Sequence, residues 1–323
     1  MIQKATKKSP AIRPKRRRFI LDDLELTLIS LPTVIWYIAF CYAPLFGIAF
    51  AFKNFKIAPG RSFIYSLFVN SKWVGLDNFK FLFKSPNIGE IFRNTIGYNS
   101  VFILIGITVP VALAILISQI YSKRLQKVCQ TAMFLPHFLS WVVVSYFVYA
   151  FLSTDRGLVN SLIKTAGGTP VMWYQEGKYW PYLLVFINTW KTIGYSMVVY
   201  LATLSGIDQT LYESAVIDGA TKWQQVKGIT LPLMRPVISI MFILNVGHIF
   251  STDFGLFYHV TRDSNSFASI TQTIDVYVYK ALMEQANYKF SSAAALLQSV
   301  LGCFMIVVTN IVVKRIDSES GLF

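Results

Sequence analysis

The chain has 323 residues, is 54% hydrophobic and 15% aromatic, and carries only 14% charged residues at a mean hydropathy of +0.50. That composition excludes a soluble globular protein and indicates a polytopic membrane protein. Thirty Lys and Arg stand against sixteen Asp and Glu, a net charge of +14 whose placement along the chain carries the information about orientation.

The first 25 residues form a basic tail with Lys4, Lys7, Lys8, Arg13, Lys15, Arg16, Arg17 and Arg18. The apolar stretch after it is about twice the length of a signal-peptide core of about 7 to 15 residues, so an uncleaved first helix is expected. A span needs about 20 apolar residues to cross about 30 Å of hydrocarbon. Six stretches satisfy this: 26–52, 95–120, 130–152, 181–206, 233–251 and 291–313. Lipid offers no partner for backbone N–H and C=O, so each is expected to be helical and the fold all-α. The resulting organisation is a basic tail at 1–25, a six-helix membrane domain at 26–316 and a short tail at 317–323.

The tail and the 121–129 loop, which holds Lys123, Arg124 and Lys127, both belong in the cytoplasm by their charge. Six spans then place both termini and the 207–232 loop on that side. The loops at 53–94, 153–180 and 252–290 fall outside, with thirteen basic and eight acidic residues among them. This excess suits an anionic glycan or an acidic docking face, and equally the plain solubility of exposed loops. Cys41, Cys129 and Cys303 show neither a disulfide framework nor metal-ligand spacing.

The 207–232 loop is long for a link between two spans. Residues 208–220 read as a short amphipathic helix with a small-residue surface around Leu211, Ala215, Ile217, Asp218, Gly219 and Ala220. Gly219 permits a positive φ or a close backbone approach where the helix turns, and Pro232 and Pro236 punctuate the return to the membrane. Glu213, Ser214, Ala215, Gly219, Ile229, Leu231 and Pro232 lie in the register E-A-A-x3-G-x9-I-x-L-P, with Ser214 standing where that pattern has alanine. The bland alternative is an ordinary solvated loop whose glycine merely stops a helix.

Through this segment the chain resembles the membrane subunits of binding-protein-dependent ABC importers. Gly75-Leu-Asp-Asn-Phe79, Arg93-Asn-Thr95, Phe134-Leu-Pro-His-Phe138, Asn188-x-Trp190-Lys191 and Leu211-Tyr-Glu213 are similar to the sugar-importing branch, and within it to permeases for oligosaccharides of complex polysaccharides, uronate polymers such as alginate included. The resemblance implies the type I importer permease fold and a bacterial cytoplasmic (inner) membrane location. It implies a second permease subunit, two ATPase subunits docking at 213–232 with an arginine facing Glu213, and an extracytoplasmic sugar-binding protein. No nucleic-acid partner is expected.

No cofactor is expected on this chain. The Gly-Lys pair at Gly177-Lys178 is followed by Tyr179 and lacks the upstream glycine of a P-loop, so ATP and Mg belong to the partner ATPase. His137, His248 and His259 have unrelated surroundings, and no metal site or catalytic triad can be read. The rival class, an ion-coupled secondary transporter or channel, usually needs carboxylates inside the membrane, and the six stretches contain no Asp or Glu.

Polar positions inside the spans mark a candidate substrate path. Asn188, Lys191, Thr192 and Tyr195 share a helix face, with Trp190 and Tyr200 adding aromatic surface; Asn245 and His248 lie one turn apart; Trp141, Ser145 and Tyr149 form another stripe. Rings and hydrogen-bonding groups together suit a glycan. The alternative for Asn245, His248 and Ser145 is hydrogen bonding between helices. Lys191, about 15 Å into its helix, is expected to face a wet cavity or to pair with a carboxylate on a second permease. Ala295, Ser299, Gly302 and Cys303 make a small-residue stripe expected to pack against a partner helix.

Overall fold

The computed structural model describes residues 21–84 and 87–323; the basic residues of the tail, Lys4 to Arg18, lie outside the described residues. The chain divides into two compact units, Met1–Ala49 and Phe50–Phe323. In the first, helix α1 (Leu21–Tyr37) continues through a π-turn at Ile38–Tyr42 into a 3-10 stretch at Ala43–Ile48. Pro44, which has no N–H to donate, sits at the start of that tighter coil.

The second unit opens with a two-residue antiparallel ladder, β1 (Lys53–Asn54) on β2 (Lys72–Trp73), a departure from the expected all-α fold. Asn78 holds this region together: its Nδ2 lies 2.9 to 3.3 Å from the carbonyls of Phe50, Ala51 and Lys53, which a helix end would otherwise leave unpaired.

Eight helices of nine or more residues follow: α2 (Ile88–Ser118), α3 (Lys123–Phe134), α4 (Trp141–Leu152), α5 (Trp180–Ser205), α6 (Gln209–Ile217), α7 (Leu231–Gly247), α8 (Ile274–Met283) and α9 (Tyr288–Ile316). Four helical stretches, Leu26–Phe52, Ile88–Ser118, Lys222–Gly247 and Tyr288–Ile316, are long and apolar enough to cross a membrane, and a fifth is reached if a bent pair counts as one span. At 26 residues α5 has the length of a sixth, but Asn188, Lys191 and Thr192 interrupt its apolar run.

Two expected spans differ in form. The 130–152 stretch is not one helix, because its halves, Lys123–Phe138 and Trp141–Leu152, meet at 101°. Pro136 withholds an N–H, Leu139 and Ser140 are extended at ψ 134° and 152°, and Ser140 Oγ accepts from Val143 N at 3.3 Å to start α4. The helix expected at 233–251 begins earlier: it runs from Lys222 through a π-turn at Val226–Thr230 into α7, so Pro232 and Pro236 do not punctuate it. In that turn Leu231 N donates to Val226 O, and the widened coil just ahead of Pro232 accommodates its missing N–H.

Helices α2 and α5 form the most extensive pairing in the unit. Toward the Trp180 end of α5 the core gathers Trp180, Leu184, Phe257 and Phe267; toward its Ser205 end it gathers Val111, Ala114, Met197, Tyr200 and Met234. Polar residues of α2 pin the 249–274 segment: Asn99 Nδ2 donates to Ile249 O and Ser251 O, Asn94 Nδ2 to Ser269 O and Gln272 O, and Thr95 Oγ1 accepts from Ile274 N. Gly302 departs from its expected role. A Cβ there would lie 2.5 Å from Gly247 O, so it serves a crossing of α7 and α9 within this chain, while Ala295, Ser299 and Cys303 stay exposed.

Candidate functional site

Two local constructions contain the candidate residues. The first is the α6 segment. Asp208 begins it by accepting from Thr210 N at 3.0 Å, and that bond holds its carboxyl below the ordinary carboxylate range. The end is a Schellman motif: Ala220 N donates to Ala215 O at 2.8 Å and Gly219 N to Val216 O at 3.0 Å, with Gly219 at φ 78°. Thr221 and Gln224 then form a capping box that starts the helix leading to α7. Buried Gln225 donates from Nε2 to Ala220 O at 3.2 Å, and the Tyr212 and Thr230 hydroxyls are 3.0 Å apart, so the two helices are cross-tied.

On this folded corner Glu213, Ser214, Asp218 and Gly219 are exposed, and Ala215, Ala220, Ile229, Leu231 and Pro232 are half-buried. Around them Leu211, Val216, Ile217 and Trp223 are also exposed, Ile217 at 86%. A carboxylate ringed by apolar side chains on a tied, convex corner is a surface suited to a partner's cleft. Trp223 carries no motif signal; it emerges only when the capping box turns it outward.

The second construction is the crossing of α5 with the break between α3 and α4. A Cβ on Gly194 would lie 1.9 Å from Met133 O and 2.8 Å from the Phe134 Cα, so the backbones touch there and no side chain fits. One turn away Lys191 Nζ donates to His137 O at 3.0 Å, satisfying a carbonyl that the break has orphaned. Lys191 is 8% exposed and lies 5.0 Å from the centroid of the Trp141 ring. Trp141 Nε1 donates to Asp253 Oδ2 at 2.5 Å, and Asp253 Oδ1 accepts from Gly255 N.

Within this chain Lys191 is thus buried rather than open to a wet cavity, and the nearby opposite charge is Asp253, one ring away. Tyr195 stacks on His137 at 4.8 Å and lies 6.4 Å from Phe134, its ring 50% exposed. Thr192 Oγ1 bonds Asn188 O on its own helix. Trp190 is 40% exposed but lies two residues from Asn188, on another side of α5. Tyr200 offers no surface: it is fully buried in the apolar core, its hydroxyl without a hydrogen-bond partner among the described residues. Asn245 and His248 are exposed, and Asn245 Nδ2 bonds Met241 O one turn back. Ser145 likewise bonds Val142 O. Both bonds stay within one helix of this chain.

Among the described residues no group of three or more His, Cys, Asp or Glu is placed to hold a metal. Phe134 entered the sequence reading only as a member of a motif, His137 as a motif member and a lone histidine, and Asp253 only as one of the loop charges. Their sequence distance from α5 conceals the contact.

Residues 103–318 match the family model described as binding-protein-dependent transport system inner membrane component. The chain is 30% identical over 310 residues to the polygalacturonan/rhamnogalacturonan transport system permease protein YteP of Bacillus subtilis (strain 168), covering 95% of this chain and 94% of that one. Among solved structures it is similar to a chain of a bacterial ABC transporter involved in the import of the acidic polysaccharide alginate, at a TM-score of 0.81 and 31% identity over 92% of this chain and 97% of that chain. It is also similar to a chain of a bacterial alginate ABC transporter in complex with alginate pentasaccharide-bound periplasmic protein, at a TM-score of 0.79 and 31% identity over 92% and 96%.

Proposed function

Because the chain belongs to the family of binding-protein-dependent transport system inner membrane components, we propose that it is one membrane half of an ATP-driven importer passing an acidic oligosaccharide, of the uronate type, from a binding protein into the cytoplasm. The observation that carries the acidic part is the likeness, over 92% of this chain, to a transporter of alginate; the permease YteP, named for polygalacturonan and rhamnogalacturonan, supports it. The α6 corner docks an ATPase, with Glu213 as its charged contact and Gly219 as its turn. A second permease covers the Ala295, Ser299 and Cys303 face, and a sugar-laden binding protein docks on the 53–94, 153–180 and 252–290 loops. Closure of the ATPase pair moves the cross-tied α6 corner as one piece and, through the continuous helix from Lys222 to Gly247, rocks the bundle.

Asn188, Thr192 and Tyr195 lie on the path, where the exposed ring stack of Tyr195, His137 and Phe134 offers an apolar face to a sugar ring. Uptake into vesicles carrying the whole complex and its binding protein tests this. Wild type is expected to take up a uronate oligosaccharide, and Tyr195→Ala to lower that uptake by about three- to tenfold, the worth of a ring stack. Lys191→Met removes the brace on His137 O, so uptake of acidic and neutral sugars is expected to fall together. A loss confined to the acidic sugar would instead make the Lys191 charge a direct contact.

A further inference from the structure

Along α4 past Trp141, a cavity of 280 Å³ is lined by Ser145, Tyr149, Tyr258, His259, Arg262 and Asp263, together with Val142 and Tyr146. Trp141, Ser145 and Tyr149 recur every fourth residue and share one face, so the cavity's α4 wall runs on from the ring that carries Lys191, with Ser145 about 6 Å and Tyr149 about 12 Å along the helix. The pattern repeats: the Arg262 guanidinium lies 4.0 Å from the centroid of Tyr149, as Lys191 lies over Trp141.

Arg262 is held in place at a cost. It closes the Leu256–Val260 turn in a Schellman arrangement, with Arg262 N donating to His259 O and Asp263 N to Tyr258 O, both at 3.1 Å. The position takes φ 55°, and Asp263 follows at φ 49°, a conformation that favours glycine. A long cationic side chain kept where glycine would sit without strain is the kind of outlier that marks a functional position. Asp263 forms an ion pair with Lys280, whereas among the described residues no ion pair engages Arg262. The cavity therefore combines tyrosine rings and hydroxyls with a guanidinium that lies over Tyr149 and has no ion-pair partner among the described residues, beside an Asp263 carboxylate that Lys280 already engages.

Resting on the reading of an acidic sugar substrate, the geometry points to a uronate-binding station at the outer mouth of this chain, in which Arg262 pairs with the carboxylate of one sugar unit while Tyr149 and Tyr258 line its ring. A planar guanidinium meets a carboxylate with two parallel hydrogen bonds, which a lysine cannot match. The volume lies just below the range of about 300–1,000 Å³ typical of ligand sites, so it takes one sugar ring rather than a chain.

The test measures equilibrium binding of a uronate tetrasaccharide and of its carboxyl-reduced, neutral counterpart to the assembled complex without binding protein. Wild type is expected to favour the uronate by about tenfold, the worth of a charge-assisted pair. Arg262→Gln should abolish that preference and Arg262→Lys retain part of it, while Arg124→Gln, which removes an exposed charge in the first turn of α3, should leave it intact. Size-exclusion profiles of the variants establish that the complex has assembled. A preference that survives in Arg262→Gln, or is absent from wild type, overturns the station. Uptake of the uronate by the wild-type complex, with its binding protein, is measured in parallel. No uptake overturns the acidic-substrate reading, whereas uptake alongside unchanged binding in Arg262→Gln overturns the station alone.

Discussion

Glu213→Lys is expected to lower ATP-driven uptake by at least about thirtyfold, because breaking a buried interfacial ion pair costs about 2–5 kcal/mol. Glu213 is exposed on the α6 corner amid the exposed side chains of Leu211, Val216 and Ile217, so docking would bury its charge. In the proposed dock a lysine there would meet a basic partner side chain, turning attraction into repulsion. Gly219→Val acts through the backbone. At φ 78° a β-branched residue is strained, although nothing stands within 4 Å of the added Cβ. The Schellman end would relax and α6 would lose its fixed angle to the Lys222 helix. Comparing substrate-stimulated ATP hydrolysis with uptake checks both variants; wild-type uptake in each removes the docking role from this corner.

Gly194→Val is expected to destabilise the membrane domain by about 3 kcal/mol, the upper end for overpacking, because neither neighbour can give way. The new side chain would meet the Met133 carbonyl and the Phe134 backbone, both main-chain atoms of the α3 break. Separating α5 from that break also withdraws Lys191 from His137 O and exposes an orphaned carbonyl. The measurement is thermal unfolding of the purified complex in detergent, with Gly106→Val, which meets open space on α2, as the comparison. A melting temperature equal to that of the comparison would show that the crossing has slack.

Much of the α6 corner was legible in the sequence because its signals are local. Asp208 caps, Gly219 turns, and the residues between have helical spacing, so neighbours in sequence determine the shape. The bent 123–152 pair was hidden because its break lies in an apolar run, where period and hydropathy read continuous helix; Pro136 and the Ser140 cap were the signal that was available. Pro232 misled in the opposite direction, since a π-turn absorbed it. Long-range pairings were beyond reach: Asp253 meets Trp141 across 112 positions, and Gly302 meets Gly247 within this chain. Nothing in a single sequence distinguishes a small residue that packs within its own chain from one that packs against a partner.

The most direct test of the central claim is uptake of a labelled uronate oligosaccharide into vesicles assembled with this chain, a second permease and two ATPases, with ATP sealed inside and binding protein outside. Uptake should require ATP and every component, and should cease when any one is omitted. Uptake by this chain alone, driven by an ion gradient with no ATPase present, would contradict the account.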